Sequence, residues 1–188
     1  MSNIRDASLA PSGRKKIEWV RSFMPALSVI EKQFEQERPF EGLRVAVSVH
    51  LEAKTANLGL VLAKGGARVF LTGCNPLSTQ DDVAAAIAGM GVETFGKYGV
   101  SEQEYEDLLA QTLSCHPHLI VDDGGDLINL LGGRCREYAD CLIGGCEETT
   151  TGIHRLRARE REGILPCPMM AVNDAKAKHY YDNKYGTG

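Results

Sequence analysis

Residues 43–72 read LRVAVSVHLEAKTANLGLVLAKGGARVFLT and contain a complete strand–helix–strand unit. The unit begins with the β-rich run LRVAVSV (43–49), continues through a helical segment at 53–64, and ends with a second β-rich run, ARVFLT (67–72). Elements in this order are typical of two parallel strands joined by a crossover helix.

The same alternation continues along the chain. Further strands are predicted at 92–95, 119–121, 141–143 and 169–172, and further helices at 79–89, 101–113, 126–138, 149–162 and from Asp174 onward. Helices between successive strands indicate a mainly parallel sheet that is covered on both faces. We therefore expect an α/β fold, a doubly wound, Rossmann-like three-layer αβα sandwich with right-handed crossovers.

The N-terminal region has a different pattern. Residues 1–14 are mostly polar, and we expect them to form a flexible arm. Apolar residues from Ile17 to Phe34 recur at steps of three and four, which predicts a helical stripe. Pro25 lies inside that stripe and predicts two helices or a kink. The sheet is thus expected to follow an N-terminal helical arm.

Composition limits the class of protein. The chain has 188 residues, of which 43% are hydrophobic, enough for one sizeable core. Its formal net charge of −4 gives no overall reason to bind nucleic acid, which needs a basic surface. No apolar run approaches the roughly 20 residues of a membrane span. We expect a cytoplasmic protein that binds neither nucleic acid nor membrane.

The six cysteines do not suggest a metal site. They form no C-x-x-C pair, and their spacing is poor for zinc. A domain of this length does not need disulfides to fold, so we interpret the cysteines as reduced thiols and expect no metal.

Polar residues follow five of the predicted strands. They are His50, Glu52, Lys54 and Thr55; Cys74, Asn75, Ser78, Thr79 and Gln80; Asp122, Asp123 and Asp126; Glu147, Glu148, Thr149, Thr150 and Thr151; and Asn173, Asp174, Lys176, Lys178 and Asp182. Each segment alone has a simpler interpretation as a surface histidine, a turn or a helix start. Independent turns need not share one sheet edge, however, and ligands of such sheets bind at the carboxyl ends of the strands. The pattern predicts a site for a polar ligand.

Dinucleotide fingerprints are missing from the sequence. It contains neither G-x-G-x-x-G nor G-x-x-x-x-G-K-[ST]. The chain therefore does not contain a complete dinucleotide site by itself.

Several of these segments resemble one family, adenosylhomocysteinase. The matching motifs are HLEAKT (50–55), CNPLSTQD (74–81), DDGGDL (122–127), EETTTG (147–152), VND (172–174) and DNKYG (182–186). They occur in the family's order with similar spacing, from about Trp19 to the end of the chain. The HLEAKT variant and the ending YGTG (185–188) are more similar to archaeal and thermophilic-bacterial members than to animal ones.

The resemblance implies an activity. Family members hydrolyse S-adenosyl-L-homocysteine to adenosine and L-homocysteine in the S-adenosylmethionine cycle of one-carbon metabolism. NAD oxidises the ribose 3′ carbon, the 4′ proton is removed, homocysteine leaves the 5′ carbon, water adds, and the NADH reduces the ketone. The resemblance further implies one NAD per subunit of a homotetramer.

Catalytic roles are implied for four residues. Lys178, assisted by Asp182, would take the 3′-hydroxyl proton. Asp123 would handle the 4′ proton, and His50 would be the acid and base at the 5′ position.

Binding roles are implied for further residues. Glu148 would hold ribose hydroxyls together with Asp123, Lys178 and Asp182. The remaining substrate contacts would come from Glu52, Lys54, Thr55, Asn75 and Gln80, and the NAD contacts from Thr149, Thr150, Thr151 and Asn183.

The purine end departs from the common family pattern. Many members have threonine at the position of Glu52 and a glutamate, which accepts from the adenine amino group, at that of Lys54. Lys54 is a donor and fits a 6-oxo group better, although Glu52 can still accept from an amino group. S-inosylhomocysteine is therefore an alternative substrate.

The extent of the chain leaves three explanations open. The resemblance implies that 15–188 is the substrate-binding domain and that members continue into a Rossmann NAD domain and a C-terminal tail. The chain is then a fragment of a full enzyme, one subunit of a split enzyme, or a stand-alone nucleoside-binding module without catalysis. We expect no hydrolysis by this chain alone, because the hydride step needs NAD.

Overall fold

One parallel sheet organises the computed structural model of the chain, which describes residues 1–186. Within those residues its seven strands are β1 (Asn3–Ile4), β2 (Arg44–Ser48), β3 (Arg68–Thr72), β4 (Glu93–Gly96), β5 (Leu119–Asp122), β6 (Gly144–Glu147) and β7 (Met169–Ala171). They are arranged in the order β1-β4-β3-β2-β5-β6-β7, and each neighbouring pair is parallel.

Helices connect the strands. The α-helices are α1 (Ala10–Ser22), α2 (Pro25–Glu37), α3 (Ala53–Lys64), α4 (Asp81–Ala88), α5 (Glu102–Leu113), α6 (Asp126–Leu131) and α7 (Thr150–Arg161). Short 3-10 segments span Ala7–Leu9, Arg136–Ala139 and Val172–Asp174, and a π-helix spans Lys178–Gly186. No helix among the described residues is long and apolar enough to cross a membrane.

Hydrophobic residues pack against both faces of the sheet. Val45, Val47 and Leu71 face the core that contains residues of α1, α3 and α4. Ala46 and Ile120 face the opposite core, which contains residues of α5, α6 and α7. The expected three-layer, doubly wound α/β architecture is confirmed, as is the helix break at Pro25, where α2 begins.

The chain reverses its direction of winding at the centre of the sheet. It runs outward from β2 through β3 to β4, then crosses back to β5 on the other side of β2 and continues to β6 and β7. The carboxyl ends of β2 and β5 therefore flank a topological switch point, the place where such sheets bind ligands. In the β2–β5 register, Ser48 lies opposite Asp122.

The structure differs from the expectation of a flexible arm at residues 1–14. Asn3 and Ile4 pair with β4, and α1 already begins at Ala10. Ser2 extends this contact, because its hydroxyl accepts a hydrogen bond from the Thr94 amide at 3.0 Å. A two-residue strand is too short to show an alternating pattern, so β1 could not be predicted from the sequence.

The fifth predicted strand is displaced in the structure. It was expected at 141–143 but lies at Gly144–Glu147. Its two glycines disfavour a strand by propensity, yet they are needed for packing. A β-carbon at Gly145 would lie 2.3 Å from Cγ1 of Ile120 on the adjacent strand.

A similarly close contact generates a prediction for the N-terminal helix. A β-carbon at Gly13 of α1 would lie 2.0 Å from the carbonyl oxygen of Asp82 in α4. Gly13→Ala should therefore lower the free energy of unfolding by about 1–3 kcal/mol through overpacking. Urea denaturation measures this quantity.

Gly89→Ala is the matched control, because a β-carbon at Gly89 has its nearest neighbours at 3.5 Å. It should change stability by no more than about 1 kcal/mol. Equal losses of unfolding free energy in Gly13→Ala and Gly89→Ala would contradict the close packing of α1 against α4.

Candidate active site at the carboxyl edge of the sheet

His50 directly follows β2 and is held by a serine. Its Nδ1 lies 2.5 Å from Ser78 Oγ, and Ser78 donates its own proton to the carbonyl oxygen of Asn75 at 3.0 Å. A hydroxyl has only one proton, so Ser78 must accept from Nδ1–H. The free lone pair of the neutral imidazole is then on Nε2, which lies 3.9 Å from Oδ2 of Asp123.

Asp123 follows β5 and is 9% exposed. Its Oδ2 accepts a hydrogen bond from the Cys74 thiol at 3.3 Å. Burial, followed by the negative charge of Asp123, raises the pKa of Cys74 well above its ordinary value. Cys74 is therefore a thiol that donates to Asp123, not a reactive thiolate.

A row of buried polar residues lies beneath these loops. Four neighbouring strands end in such residues, in mutual register and each at most 1% exposed: Thr72, Ser48, Asp122 and Glu147. Their positions support the loops that start immediately after them.

Glu147 connects two of the loops. Its Oε1 accepts from the amide of Gly124 at 2.9 Å and from both the amide and the hydroxyl of Thr149 at 2.8 Å. Gly152 in α7 makes room for this carboxylate, because a β-carbon there would lie 2.1 Å from Cδ of Glu147. The segments that contain Asp123 and Glu148 are thus tied to one buried side chain.

Asp122 is paired with Glu147 in the sheet register. It accepts hydrogen bonds from the amides of Ile128 at 3.1 Å and Asp123 at 3.2 Å. Burial raises the pKa of Asp122 to about 7; the Ile128 hydrogen bond opposes the rise, and the charges of Glu147 and Asp126 add to it.

Lys178 provides the cationic part of the site. Its Nζ lies 2.9 Å from Oε1 of Glu148, from the Glu148 carbonyl oxygen and from Oδ1 of Asn173. These three acceptors match the three N–H donors of an ammonium group. The Lys178 side chain is 14% exposed, whereas that of Glu148 is 38% exposed and accessible to a ligand.

The histidine and lysine groups share one edge. The Glu148 amide donates to the Asp122 carbonyl at 3.0 Å, which joins the two loops directly. Strands β2, β5 and β6 are neighbours, and two strand spacings place their ends roughly 10 Å apart. Four predicted site residues, His50, Asp123, Glu148 and Lys178, are therefore brought to the same edge.

The residues predicted for the purine end differ from one another in burial and in their hydrogen-bond partners. Glu52 caps α3, because its Oε1 accepts from the amides of Lys54 at 2.9 Å and Thr55 at 3.1 Å. Thr55 is buried, while Lys54 is exposed. The Asn75 side chain accepts from the Leu77 amide at 2.8 Å.

Gln80 lies beside the N-terminal helix. Its side chain accepts from Lys16 Nζ at 2.9 Å. With Glu52, Trp19 and neighbouring residues it lines an open cleft of about 550 Å³. The structure thus groups Gln80 with Glu52 at this end of the edge.

The remaining predicted residues lie on helices next to the lysine. Asp182 and Asn183 are exposed on the π-helix, and within residues 1–186 the ion pair of Lys178 is with Glu148, not Asp182. Thr150 donates to Asn173 at 3.3 Å, and Thr151 is exposed.

The sequence interpretation assigned no role to the supporting residues. From the sequence alone, the supporting residues are recognisable only as polar residues that end or follow strands: Ser78, Cys74, Asp122, Glu147 and Asn173. The doublets DD (122–123) and EE (147–148) contained the available signal. Adjacent residues at a strand end point in opposite directions, so the first acid of each doublet ends the strand fully buried while the second begins the loop.

The raised pKa of Asp122 predicts a pH dependence of stability. Between about pH 4 and pH 7 the unfolded chain loses the Asp122 proton while the folded chain keeps it. The contribution of protonated Asp122 to the free energy of unfolding is therefore full below about pH 4 and is lost as pH rises to about 7. The difference in unfolding free energy between wild type and Asp122→Asn should fall over this range, as measured by urea denaturation at several pH values.

Asp107→Asn serves as the control for the pH series. A hydrogen bond from Arg134 lowers the pKa of Asp107, and arginine stays charged throughout this range, so the corresponding difference should not fall with rising pH. A wild-type advantage over Asp122→Asn that grows with pH would contradict the buried, protonated acid.

Comparison with known proteins assigns one family to the residues that form this edge of the sheet. The family model for S-adenosyl-L-homocysteine hydrolase matches residues 1–141 and 131–185. An S-inosyl-L-homocysteine hydrolase of Methanococcus maripaludis is 50% identical over 188 residues, which are 100% of this chain and 45% of that protein.

Two further relatives carry the two different names. An S-inosyl-L-homocysteine hydrolase of Methanothermobacter thermautotrophicus is 51% identical over 98% of this chain, and an adenosylhomocysteinase of Pyrococcus abyssi is 49% identical over 98%; the match covers 44% of each relative. The chain thus spans less than half the length of these curated relatives. With a family model that matches nearly its full length, the chain belongs to the S-adenosyl-L-homocysteine hydrolase family.

Proposed function

We propose that residues 15–188 form the substrate-binding domain of an NAD-dependent hydrolase that splits a nucleosyl-homocysteine thioether into a nucleoside and homocysteine. The observation that carries the proposal is the meeting of His50, Asp123, Glu148 and Lys178 at one switch-point edge. An imidazole, two carboxylates and an amine within about 10 Å can surround one ribose.

His50 and Asp123 are the proton-transfer groups at the thioether end. The lone pair of Nε2 can take a proton from water or, once protonated, give one to the leaving sulfur. Asp123 lies on the same side at 3.9 Å, where it can remove the neighbouring 4′ proton and stabilise an imidazolium. The Ser78 contact keeps the imidazole in the tautomer that this role needs.

Glu148 and Lys178 are the groups at the ribose hydroxyls. A carboxylate accepts hydrogen bonds from two adjacent hydroxyls, so a bound ribose would compete with Lys178 for Glu148. Release from that ion pair would lower the cost of removing the lysine proton and make Lys178 a base toward the 3′ hydroxyl. Asp182, four residues further along the π-helix, would assist it.

NAD, when bound, would accept and return the hydride of the 3′ carbon. Thr150, Thr151 and Asn183 are exposed beside the lysine and can offer hydroxyl and amide groups to it. Thr150 and Thr151 lie in the first turn of α7, where unpaired backbone amides favour a phosphate. Thr149 fits less well, because its hydroxyl already donates to Glu147 and accepts from Gly152.

The purine end favours a 6-oxo base. Glu52 is engaged in capping α3, which leaves the exposed Lys54 as the free side-chain donor in this segment. Relatives named S-inosyl-L-homocysteine hydrolase support the same substrate. We therefore infer that S-inosylhomocysteine is a substrate of this site, with S-adenosylhomocysteine as the alternative.

Enzymatic assays test the proposed acid and base. The full-length enzyme that carries this chain is assayed with NAD, and His50→Gln should lower kcat by roughly 10²–10⁴-fold, because a neutral amide cannot exchange the proton. His154→Gln is the control, since His154 is an exposed histidine of α7. A His50→Gln enzyme with the wild-type rate would overturn the assignment.

Binding and turnover separate the enzyme from a simple nucleoside-binding module. We expect the 188-residue chain alone to bind the nucleoside product but not to hydrolyse the thioether when NAD is added. Binding without turnover in the full-length protein with NAD would favour the module. Turnover by the chain alone would contradict its role as one half of the site.

A charge reversal tests the base preference. Lys54→Glu should shift the ratio of kcat/KM values from the inosyl toward the adenosyl substrate by roughly 10-fold, since one donor is replaced by one acceptor. Lys32→Glu makes the same charge change at an exposed position of α2 and should leave the ratio unchanged. An unchanged ratio in Lys54→Glu would remove Lys54 from base recognition.

A further inference from the structure

Three potential metal-binding groups meet at the switch point. Ligand atoms of His50, Cys74 and Asp123 all lie within 4.8 Å of one another. Each residue follows a different strand, β2, β3 and β5 respectively. We propose that these side chains form a binding site for a thiophilic divalent cation such as Zn²⁺, which would block the proton-transfer groups of the site.

The three ligand atoms lie within 4.8 Å of one another, somewhat wider apart than in a bound tetrahedral site. Zinc binds sulfur at about 2.3 Å and nitrogen or oxygen at about 2.0–2.1 Å, so its ligand atoms lie roughly 3.3–3.8 Å apart. Here Sγ of Cys74 lies 3.3 Å from Oδ2 of Asp123, and that oxygen lies 3.9 Å from Nε2 of His50. Small side-chain adjustments are enough to admit the ion.

The imidazole is already oriented for coordination. Ser78 accepts a hydrogen bond from Nδ1–H, because its own proton is donated to the Asn75 carbonyl, and Nε2 keeps a free lone pair 3.9 Å from Oδ2 of Asp123. A second hydrogen bond of this kind commonly fixes the tautomer and ring position of metal-bound histidines. One thiolate, one imidazole and one carboxylate select zinc-like ions over Mg²⁺, which prefers oxygen ligands and water.

The binding step balances without a redox partner. A metal–sulfur bond forms, the S–H bond of Cys74 breaks, and its proton goes to the solvent. His50 and Asp123 coordinate through existing lone pairs. The fourth position remains available to water, because the His50 side chain is 50% exposed.

The cysteine spacing along the sequence is poor for a cysteine-based zinc framework, and this site is of another kind. It uses only one of the six cysteines and takes its other two ligands from separate strand ends. The fold, not the local spacing, brings them together. Inhibition by the ion rests on the proposed function, whereas binding of the ion does not.

Cobalt is a suitable probe for the 188-residue chain. Co²⁺ should bind one equivalent and give a thiolate-to-cobalt charge-transfer band with tetrahedral visible bands, and Zn²⁺ should displace it. An excess of Mg²⁺ should not displace the bound Co²⁺. Absence of a thiolate band in the wild-type protein would overturn the proposal.

Variants assign the thiolate. Cys74→Ser should abolish the charge-transfer band, whereas Cys115→Ser should retain it, because Cys115 is similarly half-buried but precedes β5 at the other end of the sheet. Ser78→Ala should weaken Co²⁺ binding by roughly 10-fold to 100-fold. Circular dichroism and thermal melts establish that each variant is folded. A full band in Cys74→Ser would refute the site.

Enzyme assays then separate this proposal from the catalytic one. Zn²⁺ should inhibit the full-length enzyme, and Cys74→Ser should be less sensitive. Binding through Cys74 without inhibition would support the metal site and count against the catalytic placement of His50 and Asp123. Absence of the cobalt band in the wild-type protein, with hydrolysis by the full-length enzyme intact and dependent on His50, would do the reverse.

Discussion

The site depends on a carboxylate that no solvent reaches. Oε1 of Glu147 accepts three hydrogen bonds from two different loops, and the side chain is 0% exposed. Because a buried acceptor without partners is costly, these bonds fix where each loop leaves the sheet. Asp123 directly precedes Gly124, which donates to Glu147. Glu148 lies between Glu147 and Thr149, the other residue that donates to it. The geometry of the groups that would face a sugar is therefore set by a residue that does not touch it.

The same arrangement explains the rest of the edge. Parallel strands end together, so the segments after β2, β3, β5 and β6 emerge side by side. Small and polar residues finish these strands in register, and the loops begin one residue later. The winding direction switches between β2 and β5, and the loops that follow these two strands bring Nε2 of His50 to 3.9 Å from Oδ2 of Asp123.

Sequence alone predicted the alternation of elements and the shared edge, because periodicity and strand-end position are local properties. It assigned His50, Asp123, Glu148 and Lys178 to one edge, and these residues follow strands that end at the same edge of the sheet. It missed β1 because two residues cannot show a period. It misplaced β6 because the reason for a glycine at 145 is its close packing against Ile120, a residue far away in sequence. The Cys74–Asp123 and Ser78–His50 contacts were equally inaccessible, since each joins different loops.

The lengths of the outermost strands have a separate consequence. One border of the sheet is the two-residue β1 and the other is the three-residue β7. An open sheet border is a template on which another chain can add a strand, and natural proteins limit that hazard by keeping border strands short. By covering the longer β4 with only Asn3 and Ile4, the N-terminus leaves few unpaired backbone groups there. The first few residues thus protect the folded protein against edge-to-edge aggregation.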